Sequence, residues 1–284
     1  MNAPLNGNQV IPQPASVITL SAVDKAIPIT DYPESRFRFA VSLLFSKRRT
    51  EVEQRMTTTS PRGRETQPSA IAAPRQTRSQ QGLVRMLQAG RELIEASGNL
   101  DDLSINDIVE RAGTSIGAFY RRFDNKDRFF EVVQDAAMEE GLEHVRRTVE
   151  RDPAWRSNDA GMLADAVISF YVMTFRRNRG LYHASLLRAS QRKASWDAVK
   201  STNHEVLAMI VPRLVSALAQ SRGIKADASA TQSLEFEVRA SLQMILGMLV
   251  NSVLNDPGPL SLSSRQLRSW LQIRLRRCLG LADS

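Results

Sequence analysis

Three cationic side chains, Arg121, Arg122 and Lys126, lie close together in the sequence. Guanidinium and ammonium groups donate charge-assisted hydrogen bonds to phosphate, and an arginine can also pair with the edge of a guanine through two parallel bonds. Between Thr114 and Arg128 there are four basic and two acidic residues, a local excess of 4 − 2 = +2. This cluster indicates contact with nucleic acid, provided that the surrounding elements present it on one surface.

The overall charge supports this prediction only weakly. The 284 residues carry a formal net charge of +8, but residues 1–77 hold ten basic and six acidic residues and contribute 10 − 6 = +4. Residues 78–130 hold eight of each sign and are neutral as a whole. The placement of the basic groups, and not their sum, therefore carries the prediction of nucleic-acid binding.

Two short helices joined at a glycine are predicted around the cationic cluster. Ser104 is a good N-cap for the first helix and Ser115 for the second, while Gly113 tolerates the tight turn between them. Phe119 and Phe123 share one face of the second helix and should pack inward. The apolar face of the first helix is formed by Ile105, Ile108, Val109 and Ala112. Such a pair fits the DNA-reading helix-turn-helix, although a helical hairpin with solvated arginines has the same pattern.

The stretch 112–126, AGTSIGAFYRRFDNK, resembles the signature of TetR/AcrR-type transcriptional regulators. It has the alanine–glycine pair, the serine that opens the second helix, the glycine and small residue that follow, the tyrosine, the phenylalanine and the later lysine. The likeness extends over about residues 78–130. It implies an all-α protein, in which a three-helix headpiece with the helix-turn-helix, residues 78–130, precedes a helical ligand-binding and dimerisation domain, residues 131–284.

The resemblance also implies roles for individual positions. Ser104 corresponds to a hydroxyl residue that contacts phosphate, where threonine is usual, while Tyr120 and Lys126 correspond to phosphate-contacting residues. The positions that face bases in related proteins correspond to Ile116, Gly117, Ala118 and Arg121, and Arg121 is the residue predicted to pair with a guanine. Arg122 stands where many relatives carry histidine, so that a phosphate contact is expected and a base contact is the alternative. The complete set of predicted DNA-binding residues is Ser104, Thr114, Ser115, Ile116, Gly117, Ala118, Tyr120, Arg121, Arg122 and Lys126.

Helical periodicity continues on both sides of this motif. Apolar residues at spacings of three and four predict a helix from about residue 78 that stops at Ser97–Gly98. Further helices are predicted near 126–150, 159–178, 180–191, 195–221, 228–254 and 263–279, and no strand-like alternation is seen. The sequence therefore predicts an all-α protein.

Aromatic and methionine side chains in the C-terminal part are candidates to line a ligand cavity. They are Met162, Phe170, Tyr171, Met173, Tyr182, Trp196, His204 and Met209. Any one of them could instead belong to the core, because stripes at helical spacing are common there. Charged groups are rare between Ala160 and Phe175, which favours an apolar or amphipathic small-molecule inducer.

A nearly continuous apolar stretch, residues 242–250, predicts a buried helix. The resemblance implies that the last two long helices pair across a two-fold axis, with Gly247 allowing close approach. The residues expected to complete this four-helix interface are Leu267, Trp270, Leu271, Ile273 and Leu275. A monomer with this helix at the centre of its own core is the alternative.

The first 77 residues differ in composition, because they carry eight of the twelve prolines and no sustained period. Prolines at this density break helices, which predicts a largely disordered extension. It is either a solvated tail or a basic arm that touches DNA through Arg62, Arg64, Arg75 and Arg78. A third interpretation is that translation begins at Met56.

Several classes of function are disfavoured. The single Cys278 and three scattered histidines cannot form an internal disulfide or a zinc site, and we find no phosphate-binding loop or nucleophile motif. A non-enzymatic, cytoplasmic protein without a cofactor is predicted, since no segment reads as a signal peptide or membrane span. The leading hypothesis is a homodimeric repressor that leaves a near-palindromic operator when it binds ligand. An activator and a helical interaction protein without DNA binding are the alternatives.

Overall fold

The computed structural model describes residues 73–189, 196–224, 227–256 and 258–281, with side chains from residue 79 onward. The predictions for residues 1–72, including the basic arm at Arg62 and Arg64 and the start at Met56, lie outside the described residues. So do the side chains of Arg75 and Arg78. The first helix begins at Ala73, a little before the expected boundary at residue 78.

Ten α-helices occupy most of the described residues, which contain no strand, and the prediction of an all-α fold is confirmed. They are α1 (Ala73–Ser97), α2 (Ile105–Arg111), α3 (Ile116–Tyr120), α4 (Lys126–Arg151), α5 (Pro153–Arg156), α6 (Ala160–Arg177), α7 (Arg179–Ala189), α8 (Asp197–Ser221), α9 (Ala228–Asn255) and α10 (Leu267–Cys278). A short 3-10 helix, Gly258–Leu260, precedes α10.

The headpiece, formed by α1, α2, α3 and the start of α4, is built around three phenylalanines. The ring centroid of Phe129 lies 5.2 Å from that of Phe119 and 5.0 Å from that of Phe123, and all three rings are buried. Phe129 belongs to α4, so this aromatic cluster fixes α3 onto the long helix that leads out of the headpiece.

The turn of the helix-turn-helix follows the predicted chemistry. Ser104 Oγ accepts a hydrogen bond from the N–H of Asn106 at 3.1 Å, and Ser115 Oγ accepts one from Ala118 at 3.2 Å. Gly113 has a φ of +60°, in the left-handed region where a side chain would be strained. Local sequence therefore sets the angle between α2 and α3.

The C-terminal helices α4 to α10 form a layered bundle in which α6 packs on α10, and α8 packs on α4 and α9. Within the single chain, the apolar helix α9 is covered on one side only. Leu242, Ile245 and Leu249 face the core, whereas Phe236 and Met244 are 75% and 61% exposed. The outward side of α9 thus carries exposed large apolar side chains between exposed polar ones such as Gln243 and Asn251.

The expected contribution of α10 to a dimer interface also needs correction. Leu267, Leu271 and Leu275 are buried within this chain, because they form the stripe by which α10 packs on α6. Ile273 is exposed and Trp270 is half-buried, so only these two of the five expected residues face outward. No helix of the described part of the chain combines the length and the apolar character needed to span a membrane.

Candidate nucleic-acid interface

The exposed side of α3 carries the residues that could read DNA. Ile116, Gly117, Tyr120 and Arg121 are all exposed, and the guanidinium of Arg121 lies beside Gly117, since Nη1 is 3.7 Å from where a Cβ of Gly117 would stand. The narrow backbone at Gly117 and the long donor of Arg121 therefore share one face. Exposure of large apolar groups such as Ile116 and Tyr120 here is typical of a surface that contacts another molecule.

Ala118 lies on a different side of α3 from the exposed residues with which it was predicted to bind DNA. Its methyl group is buried, like the adjacent ring of Phe119, because α3 packs this side against α2. The side chain of Ala118 is thus outside the exposed face, in contrast to the expected base-facing position.

Arg122 is held by the headpiece itself. Its Nη1 donates to the carbonyl oxygen of Ala118 at 2.7 Å, and its Nη2 donates to the hydroxyl of Ser79 at 2.8 Å and to the Ser79 carbonyl oxygen at 3.1 Å. Partial burial, and secondarily the neighbouring charge of Arg121, lower the pKa of Arg122. Arg122 therefore links the C-terminal end of α3 to α1.

The remaining predicted contacts border the exposed face. Lys126 Nζ donates to the carbonyl oxygen of Asp101 at 3.2 Å, and an ammonium has two further N–H donors. Ser104 and Ser115 accept backbone hydrogen bonds as caps, which leaves each O–H able to donate to a phosphate. Thr114, in the turn, is half-buried. The geometry gathers donors around a helix end, as phosphate positioning requires.

Comparison with known proteins identifies this headpiece. Residues 86–133, from within α1 to within α4, match the sequence profile of the tetR family of bacterial regulatory proteins. A segment of 144 residues is 24% identical to the uncharacterized HTH-type transcriptional regulator YvdT of Bacillus subtilis (strain 168). The aligned segment covers 49% of this chain and 70% of YvdT. The headpiece therefore has the DNA-binding domain of the TetR family. Both likenesses support a DNA-binding transcriptional regulator of that family.

Behind the headpiece, the chain has a cavity of about 610 Å³ between α4, α6, α8 and α9. Five of the residues expected to line a ligand site do so: Phe170, Tyr171, Tyr182, Trp196 and His204. This size lies within the usual range for small-molecule sites.

The other three candidates do not line the cavity. Met162 and Met173 are 47% and 41% exposed on the outer side of α6, because the helical period turns them away from Phe170. Met209 is packed against the core. The spacing of residues along a helix shows which side chains share one side of it, but it does not show which side faces a cavity.

Most polar residues of the cavity were not predicted from the sequence. They include Thr174, Asn178, Lys200, Asn203, Arg239 and Gln243. The sequence signal that could have identified Thr174 and Asn178 was their spacing, since they follow Phe170 at successive turns of the helix. The phenol of Tyr171 donates to Asn203 Oδ1 at 3.1 Å. Burial raises the pKa values of Tyr171 and Tyr182, so both phenols remain protonated donors at neutral pH.

Proposed function

We propose that this TetR-family regulator is a cytoplasmic homodimeric repressor that binds a near-palindromic operator and is released by a small-molecule ligand. The observation that carries the DNA-binding part is the exposed face of α3, where Tyr120 is exposed and the guanidinium of Arg121 stands beside the bare backbone of Gly117. A face of this kind can enter a major groove, and two copies would occupy half-sites ~34–36 Å apart.

Within that interface, we assign a role to each side chain according to the hydrogen bonds that it makes in the structure. Arg121 is the residue proposed to read a base, since it extends along the exposed face. Tyr120, Ser104 and Lys126 are proposed to bind phosphate and fix the register, with Thr114, Ser115 and the N-terminal end of α3 beside them. Arg122 is proposed to orient α3, because its donors already bond to Ser79 and Ala118.

The dimer is supported by the outward face of α9. Phe236, Met244 and Leu254 are exposed large apolar groups on this helix, and Gly247 lies between the last two. Ile273 of α10 adds a further exposed apolar side chain. Several large apolar side chains exposed on one helix are typical of an interaction site, and symmetric pairing of α9 and α10 with a second copy would cover them.

The ligand is proposed to be apolar or amphipathic, because aromatic and aliphatic side chains dominate the cavity and a few amide and hydroxyl groups could orient it. Regulators of this family are generally not enzymes, which fits a ligand that is bound and released unchanged. Release of DNA requires that the ligand bind the non-DNA-binding arrangement more tightly, since only differential affinity shifts an equilibrium.

The experiment that tests this function is selection of bound fragments from genomic DNA, followed by anisotropy measurements on the enriched sequence. Enrichment of a near-palindromic site by the wild-type protein, and its loss in Tyr120→Ala, is the expected result. Absence of enrichment at any site would favour the helical interaction protein instead. A ligand screen on the selected site then separates a releasable repressor from an activator, which ligand would hold on DNA.

A further inference from the structure

The charged side chains that line the cavity are cations. Lys200 on α8 and Arg239 on α9 line it, and no aspartate or glutamate of the described residues does so. Both cations are exposed, as is His204, which also lines the cavity, whereas Phe170 and Tyr182 are buried. The cavity therefore has a buried aromatic interior and a positively charged border where α8 and α9 meet solvent.

Lys200 and Asn203 present hydrogen-bond donors from one side of α8. Residues three positions apart are neighbours on a helix, with Cβ atoms about 5–6 Å apart, and both of these side chains line the cavity. Lys200 Nζ pairs with Asp197 Oδ1 at 2.7 Å, but such an exposed pair contributes little to stability and leaves two N–H donors of the ammonium. The donors of Lys200 are therefore open to a ligand.

The buried phenol of Tyr171 sets the orientation of the Asn203 amide. It donates a hydrogen bond to Asn203 Oδ1 at 3.1 Å, so that the oxygen atom of the amide is directed to Tyr171 and the Nδ2 group is directed away from it. Among the described residues, no acceptor bonds to this Nδ2 group. Asn203 therefore offers N–H donors next to the ammonium of Lys200.

A wall of aromatic rings leads from the interior of the cavity to Lys200. The ring centroids of Phe175 and Tyr182 are 5.1 Å apart, and those of Tyr182 and Trp196 are 6.2 Å apart. All three rings line the cavity. Trp196 lies one helical turn before Lys200 at the start of α8, so the end of this wall and the ammonium share one side of the helix.

We propose that the cavity binds an amphipathic carboxylate, whose acid group lies at Lys200 and Asn203 and whose apolar body lies along the aromatic wall. This rests on the proposed function, because it takes the cavity as the ligand site, and it narrows the class of ligand to acids. A carboxylate has only acceptors, and the ammonium of Lys200 and the N–H groups of Asn203 supply its donors. The exposed border keeps the acid group partly hydrated, while the body gains from leaving water.

The first test is calorimetric titration of the full chain, without DNA, with two acids and their neutral counterparts. Decanoate and decanol share an alkyl body, and 4-phenylbutyrate and 4-phenylbutanol share an aryl body. At least one acid is expected to bind on the order of tenfold more tightly than the alcohol with the same body, and the better acid identifies the body as alkyl or aryl. Binding of neither acid, or equal affinities of each acid and its alcohol, would overturn the proposal.

Three substitutions then test the position of the acid group. Asn203→Asp keeps an acceptor for the phenol of Tyr171 but replaces the N–H donors by a negative charge, and Lys200→Gln removes the ammonium. Each is expected to weaken binding of the preferred acid on the order of tenfold and to leave binding of the alcohol within about twofold. Arg265→Gln is the matched control, because Arg265 is exposed and does not line the cavity, and both affinities should stay within about twofold.

Arg239→Gln distinguishes the two cations of the border. Arg239 Nε already bonds to Glu235 at 2.7 Å, and a smaller loss of acid binding than in Lys200→Gln is expected. A larger loss in Arg239→Gln would place the acid group on α9 and overturn the assignment to α8. Because the titrations contain no DNA, failure of the proposed function, seen as absence of an enriched operator, is distinguishable from failure of this inference.

Discussion

Arg122 donates hydrogen bonds to both oxygen atoms of Ser79, at 2.8 Å to the hydroxyl and 3.1 Å to the carbonyl. The bonds join the end of the recognition helix to α1, across 43 positions of the chain. The preceding residue, Arg121, is exposed on the face of α3 that is proposed to bind DNA. Two adjacent arginines thus have different structural roles, and they should respond differently to the same substitution.

Arg122→Ala should lower the free energy of unfolding by about 1–3 kcal/mol, because it removes charge-assisted bonds between α3 and α1. Arg121→Ala should leave stability within ~0.5 kcal/mol and relax the base preference at one operator position, at a cost of about 1–3 kcal/mol for the preferred base. Urea unfolding and binding to a set of single-base operator variants measure the two effects. Uniform weakening by Arg121→Ala across all sequences would assign that residue to phosphate instead.

Lys126→Ala should weaken DNA binding to every sequence and flatten its salt dependence. Each phosphate contact releases condensed counterions, so the slope of log K against log salt should fall in magnitude by about 1. Lys200→Ala is the matched control, since Lys200 lines the cavity and pairs with Asp197. A slope unchanged in Lys126→Ala, or changed equally by the control, would contradict the assignment.

Gly180→Ala should destabilise the fold by about 1–3 kcal/mol, because the added Cβ meets the backbone of Glu95 and neither helix can yield locally. Gly141→Ala is the control within α4, where none of the described atoms lies within 4 Å of the added Cβ. That variant should instead gain up to about 1 kcal/mol from helix propensity. Denaturant midpoints of the two variants should therefore move in opposite directions.

The stability of the protein should contain a pH-dependent contribution from Glu95. Burial raises the pKa of this carboxyl above its ordinary value of 4.5, although the N–H groups of Gly180 and Leu181 and the charge of Arg91 oppose the shift. The native state then holds the proton more tightly than the unfolded chain. The contribution is fully present below the ordinary pKa and is lost as pH rises through the native pKa.

Unfolding of the wild type and of Glu95→Gln, measured from about pH 4 to 7, isolates this contribution, since glutamine does not titrate. The free energy of unfolding of the wild type minus that of Glu95→Gln should fall as pH rises. If this difference in unfolding free energy grew with pH, the N–H groups of Gly180 and Leu181 and the charge of Arg91 would outweigh burial in setting the pKa of Glu95.

Met244→Glu should shift the protein from dimer to monomer, because it places a charge in the apolar face of α9 that is proposed to pair with a second copy. Met162→Glu makes the same change at an exposed methionine on α6 and should leave the dimer intact. Sedimentation at micromolar concentration distinguishes them. If the wild-type protein sediments as a monomer under these conditions, the proposed dimer is wrong.

The sequence by itself determined the headpiece and the helical class. Caps at Ser104 and Ser115 and the turn at Gly113 act on their immediate neighbours, so local chemistry was enough to place α2 and α3. Apolar periodicity likewise located α4, α6 and α9 to within a few residues, because burial of one side of a helix imposes that period on the sequence.

Only the tertiary structure decided which side chains meet. Arg122 bonds to Ser79, Met162 was expected in the cavity but faces outward, and Asn178 lines the cavity without having been predicted. The physical reason is the same in each case. Partners distant in sequence come together only when helices pack, and the period of one helix does not say which neighbour covers each of its sides.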